Sequence, residues 1–288
     1  MLILRTEPFI FGHNDISQSF LHQNSFNDLG FDIIAGFTTK IGGNSKGFYS
    51  SFNLGLHVDD LQDDVKSNRK LLGEYLGFST DTWISCEQVH KSTVKKITKD
   101  LCGKGVFNYE DAIPATDGIY TNEPNILLTL CFADCVPLYF YEPNLQLIGI
   151  AHAGWKGTVS NIAGEMVKIW VKDEGVNPKN VFASIGPSID HCCYIVDDYV
   201  IDFVNKMNLE NKLIYSQIGE GQYRLSLKSL NEQLLLASGI PREQISASSH
   251  CTSCEKEIFF SHRRDKGKTG RMLSFIGRKE AQNSECSN

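Results

Sequence analysis

The stretch "NILLTLCFADCVPLYFYEPNLQLIGIAHAGWKG", residues 125–157, contains three apolar segments, each about as long as a strand. Polar residues interrupt it where the segments end. Asp134 and Cys135 follow the first segment, and His152 ends the third. An apolar strand that only fills a core has no need of an acid and a thiol at its end. The interruption therefore predicts that these strand ends carry chemistry.

The rest of the chain alternates strand and helix patterns. Helical periodicity starts at Asp63, occurs again between His152 and Gly175, and recurs in "DDYVIDFVNKMN" and "SLKSLNEQLLLASG". Strand patterns occur in "FDIIAGFTT", "TWISCEQVH", "VFASIG", "QISASSH" and "RMLSFIG". This interleaving predicts an α/β fold, a mixed sheet with helices on both faces. No linker divides the chain, so we expect one domain over residues 1–278 and a loose tail over 279–288.

The composition narrows the function to small-molecule chemistry. The 288 residues are 41% hydrophobic and 22% charged, with a formal charge of only -6, which favours neither disorder nor nucleic-acid binding. We find no secretion signal and no segment suited to span a membrane, so we expect a cytoplasmic monomer or homodimer. Nine cysteines, an odd number, do not form a disulfide framework in a reducing cytosol. They remain candidates for packing, metal binding or nucleophilic chemistry.

The residues at the strand ends support two hypotheses. His90, Cys135 and His152 each end an apolar strand, and together they would form a trigonal zinc set with its fourth position open to water or substrate. Zinc in such a site makes bound water acidic. Alternatively, Cys135 is a nucleophile and His152 its base, oriented by Asp134 or Asp117. The spacing of the three residues matches no short zinc-binding motif. It is equally consistent with a third hypothesis, in which each residue only packs in the core.

Seven motifs, in fixed order, resemble the laccase-domain family. They read "QVH", "ATDG", "ADCVPL", "AHAGWKG", "GPSIDHCCYIV", "HCTSC" and "FFSHRRDKGKTGRMLSFI", and the match as a whole runs from about Phe37 to about Gly277. The family's members have been called multicopper polyphenol oxidoreductases and are now described as purine nucleoside phosphorylases with adenosine deaminase activity. The resemblance implies zinc bound by His90, Cys135 and His152, and a three-layer fold like that of enzymes that deamidate glutamine with a Cys and a His.

The resemblance also implies that purine nucleosides and phosphate are bound. Phosphate needs cations, and our candidates for substrate binding are Lys40, Asn53, Arg69, Asp117, Arg263 and Arg271. The family usually has Arg where this chain has Lys40, which keeps the charge but loses the bidentate fork. For catalysis we take Asp134 as a proton carrier or as a partner of His152, beside Cys135 and His152 themselves.

Two metal questions follow from the remaining residues. The eight histidines form no His-X-His pair, so a four-copper oxidase centre is not expected, although a copper ion in place of zinc is the alternative at the same site. "HCTSC" holds Cys251 and Cys254 at the spacing of half a structural zinc site, but no second pair lies at a suitable distance along the chain. We therefore predict that these two cysteines, and the adjacent Cys192 and Cys193, are structural.

Overall fold

A computed structural model describes residues 6–12, 18–27, 33–207, 209 and 214–280. Residues 281–288 of the expected tail lie outside these residues. The strands are β1 (Phe9–Ile10), β2 (Phe20–Gln23), β3 (Ile34–Thr38), β4 (Trp83–Ile84), β5 (Val94–Lys96), β6 (Gly118–Thr121), β7 (Leu127–Phe132), β8 (Val136–Glu142), β9 (Leu147–Ala153), β10 (Phe182–Ile185), β11 (Ile195–Val196), β12 (Tyr215–Gly219), β13 (Gln222–Leu225), β14 (Ile245–Ala247) and β15 (Met272–Gly277).

The longer helices fall where the periodicity predicts them, but the helix predicted after His152 is divided in two, and a helix of 4 residues near the N-terminus was not predicted. The helices are α1 (Asn24–Asn27), α2 (Gln62–Leu76), α3 (Trp155–Val159), α4 (Ile162–Glu174), α5 (Asp198–Asn205) and α6 (Leu227–Ala237). Gly77 and Gly175 end α2 and α4 in the left-handed conformation, as the sequence indicates. None of the helices in the described ranges is long and apolar enough to cross a membrane.

Most strands of the described residues belong to two six-stranded sheets. The first sheet has the order β1-β2-β3-β15-β7-β4 and the second has the order β14-β10-β8-β9-β6-β5. Both sheets are mixed, because β4 runs parallel to β7, β5 to β6 and β14 to β10, whereas the other neighbours are antiparallel. A small antiparallel sheet, β11-β13-β12, lies beside them. The mixed α/β class is confirmed.

The two large sheets stack face to face, where the sequence predicted a single sheet. Apolar side chains lie on both faces of the central strands, and this explains the stacking. On β9, Ile148 and Ile150 enter the core between the sheets, whereas Leu147 and Ala151 face the core under α4 and α6. On β7, Leu128 and Leu130 enter the same core between the sheets. Strands that are apolar on both faces need a layer on each side, and a second sheet supplies one as well as a helix does.

Helices cover the outer faces of the stacked sheets. Trp170 and Met166 of α4 and Leu230 of α6 pack on the second sheet, and Leu72 of α2 packs on the first. The chain crosses from the first sheet to the second between Phe132 at the end of β7 and Val136 at the start of β8. This crossover contains Asp134 and Cys135, which explains the polar interruption of the apolar run.

Candidate metal and active site

The fold brings His90, Cys135 and His152 together. One ligand atom from each residue lies within 4.8 Å of the others, and the two imidazole centroids are 4.6 Å apart. His152 ends the β9 row that contains Ile148 and Ile150, so its ring faces the gap between the sheets. It pairs with Pro137 across the β8–β9 ladder, which places Cys135 beside it at the crossover.

His90 reaches the cluster from a loop, where the sequence predicted a strand end. β4 stops at Ile84, and His90 has a positive φ of 59°. The side chain of Gln88 replaces the missing strand pairing: its Nε2 donates to the Cys131 carbonyl at 2.8 Å, and its Oε1 accepts from the Cys131 N–H at 2.7 Å. The chain can therefore leave the sheet and turn His90 towards Cys135.

Asp117 holds both histidines in place. Its buried carboxylate accepts hydrogen bonds from the backbone N–H groups of His90 (2.9 Å) and Lys91 (2.8 Å). It is also 2.9 Å from Nδ1 of His152. This contact leaves Nε2 of His152 to face Cys135, the tautomer that a metal ligand needs. The role differs from the predicted substrate binding, because Asp117 has no exposed surface.

The charges of the cluster favour a cation. Burial raises the pKa of the Cys135 thiol, but His152 and His90 outweigh burial and lower it to about 6. Burial lowers the pKa of His152, but Cys135 and Asp117 raise it to about 9. Each group thus favours the charged form of the other, the thiolate of Cys135 and the imidazolium of His152. A metal ion would replace the imidazolium proton as the partner of the thiolate.

The donor set fits a metal ion. Two imidazoles and one thiolate suit zinc or copper, and three protein ligands leave a position open towards the cavity. Gly154 leaves the necessary space: a Cβ at this position would lie 2.9 Å from Cys135 Sγ and 3.1 Å from His90 Cδ2. A side chain at position 154 would therefore crowd two of the three ligands.

A cavity of about 550 Å³ opens in front of the three residues, a volume in the range of small-molecule sites. Its wall includes the cations Lys156, Arg263 and Arg271. It also includes the aromatic rings of Tyr109, Trp155 and Tyr194 and the imidazoles of His57 and His262. The guanidinium of Arg263 lies 4.8 Å from the centroid of the Tyr194 ring. The cavity thus combines positive charge with flat apolar surfaces.

Asp134 lines the cavity and organises its wall. Its carboxylate accepts hydrogen bonds from the Thr252 hydroxyl (2.7 Å), the Ser261 hydroxyl (3.0 Å) and the Arg263 N–H (2.7 Å). The residue has a positive φ of 89°, which is rare for a residue other than glycine. The structure therefore gives Asp134 an anchoring role beside the reactive position predicted for it.

Of the predicted substrate-binding residues, Arg263 and Arg271 line the cavity and the others lie outside it. Arg69 is buried and donates to the carbonyls of Leu54, Gly105 and Val106, which differs from its predicted role because its charge is used inside the protein. Asn53 is also buried, and its Oδ1 accepts from the Arg271 N–H at 2.8 Å. Lys40 lines a separate surface depression with Phe48.

Several cavity residues were not predicted from the sequence. His57 comes from a turn and Tyr109 from a single-turn 3-10 helix, both far from the quoted stretch. Tyr194 and His262 lie inside motifs that we quoted without giving these residues a role. A signal was available for His262, because it directly precedes the predicted Arg263. No local pattern distinguishes His57 or Tyr109 from surface residues of other loops.

Comparison with known proteins identifies the family of this chain. A family model described as "Multi-copper polyphenol oxidoreductase laccase" matches residues 34–279. The chain is 50% identical over 248 residues to "Purine nucleoside phosphorylase YlmD" of Geobacillus stearothermophilus, covering 86% of this chain and 90% of that protein. It is 52% identical over 250 residues to the protein of the same name from Bacillus subtilis, covering 87% of this chain and 90% of that protein.

Solved structures of related proteins have the same fold as this chain. The crystal structure of YlmD from Geobacillus stearothermophilus has a TM-score of 0.91 at 46% identity, covering 96% of this chain and 100% of that one. The Bacillus licheniformis hypothetical protein YfiH has a TM-score of 0.89 at 48% identity, covering 95% of this chain and 100% of that one. The motifs, the fold and these matches agree, and the chain belongs to the multi-copper polyphenol oxidoreductase laccase family.

Proposed function

We propose that this protein is a purine nucleoside phosphorylase with a zinc ion held by His90, Cys135 and His152. The observation that carries the proposal is the cavity, which combines three cations and three aromatic rings around the metal-capable cluster. The relatives named purine nucleoside phosphorylase support the same activity. Reduced thiol ligands also favour a cytoplasmic location, and we propose one catalytic domain over residues 1–278.

The side chains of the cavity match the needs of phosphorolysis. The reaction forms a bond from a phosphate oxygen to the ribose C1′ and breaks the bond from C1′ to the purine, which leaves with the electron pair. Lys156, Arg263 and Arg271 would hold the hydrogen phosphate dianion and keep its oxygen near C1′, and the proton of the phosphate is transferred to the departing purine. Tyr109, Trp155 and Tyr194 offer faces on which a purine can stack. A zinc ion, when bound, supplies a Lewis acid.

Adenosine deamination is the finer part of this proposal. In that reaction a water oxygen replaces the amine at the purine carbon that bears it, and ammonia leaves. The cavity would place the purine edge at the open side of the cluster, and His57 and His262 can carry protons there. Zinc fits both reactions better than copper, because neither changes an oxidation state. Among the described residues, histidine and cysteine form one mixed cluster of this kind, whereas multicopper oxidation requires several such sites.

The test is product analysis of purified protein incubated with adenosine. Phosphate-dependent formation of adenine and ribose 1-phosphate indicates phosphorolysis, and inosine formed without phosphate indicates deamination. We expect Cys135→Ala to abolish both products, and we expect Arg263→Ala to raise KM for phosphate about tenfold. Lys168→Ala, an exposed cation on α4, is the matched control and should behave as the wild type. Zinc-loaded protein that forms neither product would overturn the proposal.

A metal-free cysteine hydrolase is the second candidate. The favouring observation is the row Cys135, His152 and Asp117, in which the carboxylate orients the imidazole beside the thiol. Elemental analysis separates the two candidates. A protein purified without metal that hydrolyses an amide substrate after chelation, and loses that activity in Cys135→Ala, would favour the hydrolase.

A further inference from the structure

Four cysteines form a second cluster outside the cavity. The sulfur atoms of Cys192, Cys193, Cys251 and Cys254 all lie within 4.8 Å of one another. Cys254 Sγ is 3.4 Å from Cys192 Sγ and 3.3 Å from Cys193 Sγ. Cys192 and Cys193, about sixty residues earlier in the chain, are thus the second cysteine pair that Cys251 and Cys254 lacked in the sequence.

Backbone pairing brings the two loops together. Ser188 and Cys251 form a parallel bridge, and the Thr252 N–H donates to the Ser188 carbonyl at 3.1 Å. The Cys193 N–H donates to the Asp190 carbonyl at 2.8 Å, which closes a turn. In this turn both adjacent cysteines face the same neighbour, whereas on a strand they would point to opposite faces.

The sulfur atoms are close enough together to bind one metal ion. Four thiolates about 2.3 Å from a zinc ion lie about 3.8 Å from one another. The two contacts of Cys254 Sγ are shorter than this, at 3.4 and 3.3 Å, and no pair of sulfurs is more than 4.8 Å apart. Movements of about 1 Å would therefore bring the four sulfurs to zinc-binding distances. Cys251 and Cys254 also have the Cys-X-X-Cys spacing of zinc knuckles. Four sulfur ligands leave no open position, which is typical of a structural ion. Cys192 and Cys254 are exposed, so an ion can enter from solvent.

We propose that Cys192, Cys193, Cys251 and Cys254 bind a second zinc ion in a closed, structural site. The site joins the loop 188–194 to the loop 250–263. The first loop supplies Ile189 and Tyr194 to the cavity, and the second supplies His262 and Arg263. The second loop also contains Thr252 and Ser261, which hold Asp134. The ion therefore stabilises the cavity wall without contacting substrate.

The test is zinc content of four forms of the full chain purified under reducing conditions. We expect about two zinc ions in the wild type, about one in Cys135→Ala, about one in Cys254→Ser and none in the double variant. Cys192→Ser, a second exposed position, should match Cys254→Ser. Cys102 lies outside both clusters, so the Cys102→Ser variant should keep both ions. X-ray absorption on Cys135→Ala should give a shell of sulfur ligands only.

The Cys135→Ala background separates this proposal from the proposed function, because zinc retained there belongs to the four cysteines whatever the chain catalyses. Cys254→Ser should also lower the Tm of that background. Two results would overturn the proposal. One is a Cys135→Ala protein without metal, and the other is a disulfide among the four cysteines that thiol titration finds in a separate sample purified without reductant.

Discussion

Asp117 shows how one buried carboxylate can decide the geometry of a site. It joins the loop of His90 to the ring of His152, so the two imidazoles keep their positions relative to Cys135. Several hydrogen bonds to the charged form keep its pKa below the ordinary value, although burial raises it. At the scale of single residues, the site therefore depends on a side chain that contacts neither the cavity nor its ligand.

We predict that Asp117→Asn weakens zinc binding at the His90, Cys135 and His152 site about 10–100-fold, because the amide no longer fixes the His152 tautomer. Isothermal titration of zinc into the stripped protein, with the four-cysteine site removed by Cys254→Ser, measures this change. Asp111→Asn removes a carboxylate that accepts from the Gly105 N–H away from the cluster, and it should leave the affinity unchanged. Unchanged affinity in Asp117→Asn would contradict the positioning role.

Gly154→Ala tests the space around the same ligands. The new Cβ would lie 2.9 Å from Cys135 Sγ, so the thiol must move and we expect at least about a tenfold loss of zinc affinity. The backbone of Gly154 has φ -64°, which alanine adopts freely, so the effect would be steric. Gly219→Ala, where the nearest atoms are 3.8 Å away, is the matched control for titration.

At the scale of elements, the loop 261–271 before β15 forms one wall of the cavity, and an ion pair within the loop stabilises it. Asp265 binds Arg264 through both oxygens (2.8 and 2.9 Å) and accepts from the Thr269 hydroxyl at 2.9 Å. Arg264 in turn donates to the carbonyls of Thr252 and Phe259. Arg264 and Asp265 therefore hold together the segment between β14 and β15 that forms this wall.

We predict that Asp265→Asn lowers the free energy of unfolding by about 1 kcal/mol at neutral pH. Burial raises the pKa of Asp265, but Arg264 and Thr269 lower it below the ordinary 3.8. The wild-type advantage is therefore present above pH 3.8 and disappears as the pH falls through the lower folded-state pKa. Urea unfolding across that range measures it. Glu257→Gln, in an exposed pair with Lys256, is the control and should leave the free energy of unfolding unchanged at neutral pH.

Across the whole molecule, the stacked sheets determine which distant residues meet. The core between them includes Ile150 of β9 and Leu130 of β7, and the site lies at the end of this core, where Phe132 packs 5.2 Å from the ring of His152. The backbone of the site therefore depends on the register of β8 against β9 and on the separation of the sheets. Both follow from packing of fully buried side chains.

Ile150→Ala should destabilise the protein by about 2–5 kcal/mol, because it opens a cavity between two packed sheets. Val171→Ala on the exposed side of α4 should change stability by less than about 0.5 kcal/mol. Urea unfolding followed by circular dichroism gives both values. Equal effects at the two positions would mean that the sheets do not share a rigid core.

The sequence by itself determined the longer helices, about half of the strands, the α/β class and the family, because these depend on local periodicity, turn residues and motif order. It also predicted which residues could bind metal, since the crossover needs neither an acid nor a thiol for packing. The tertiary structure decided that two sheets stack, that His90 sits in a loop held by Asp117, and that Arg69 is used inside the protein. It also decided that two cysteine pairs about sixty residues apart meet. These facts depend on which distant segments pack together, and no local pattern encodes that contact.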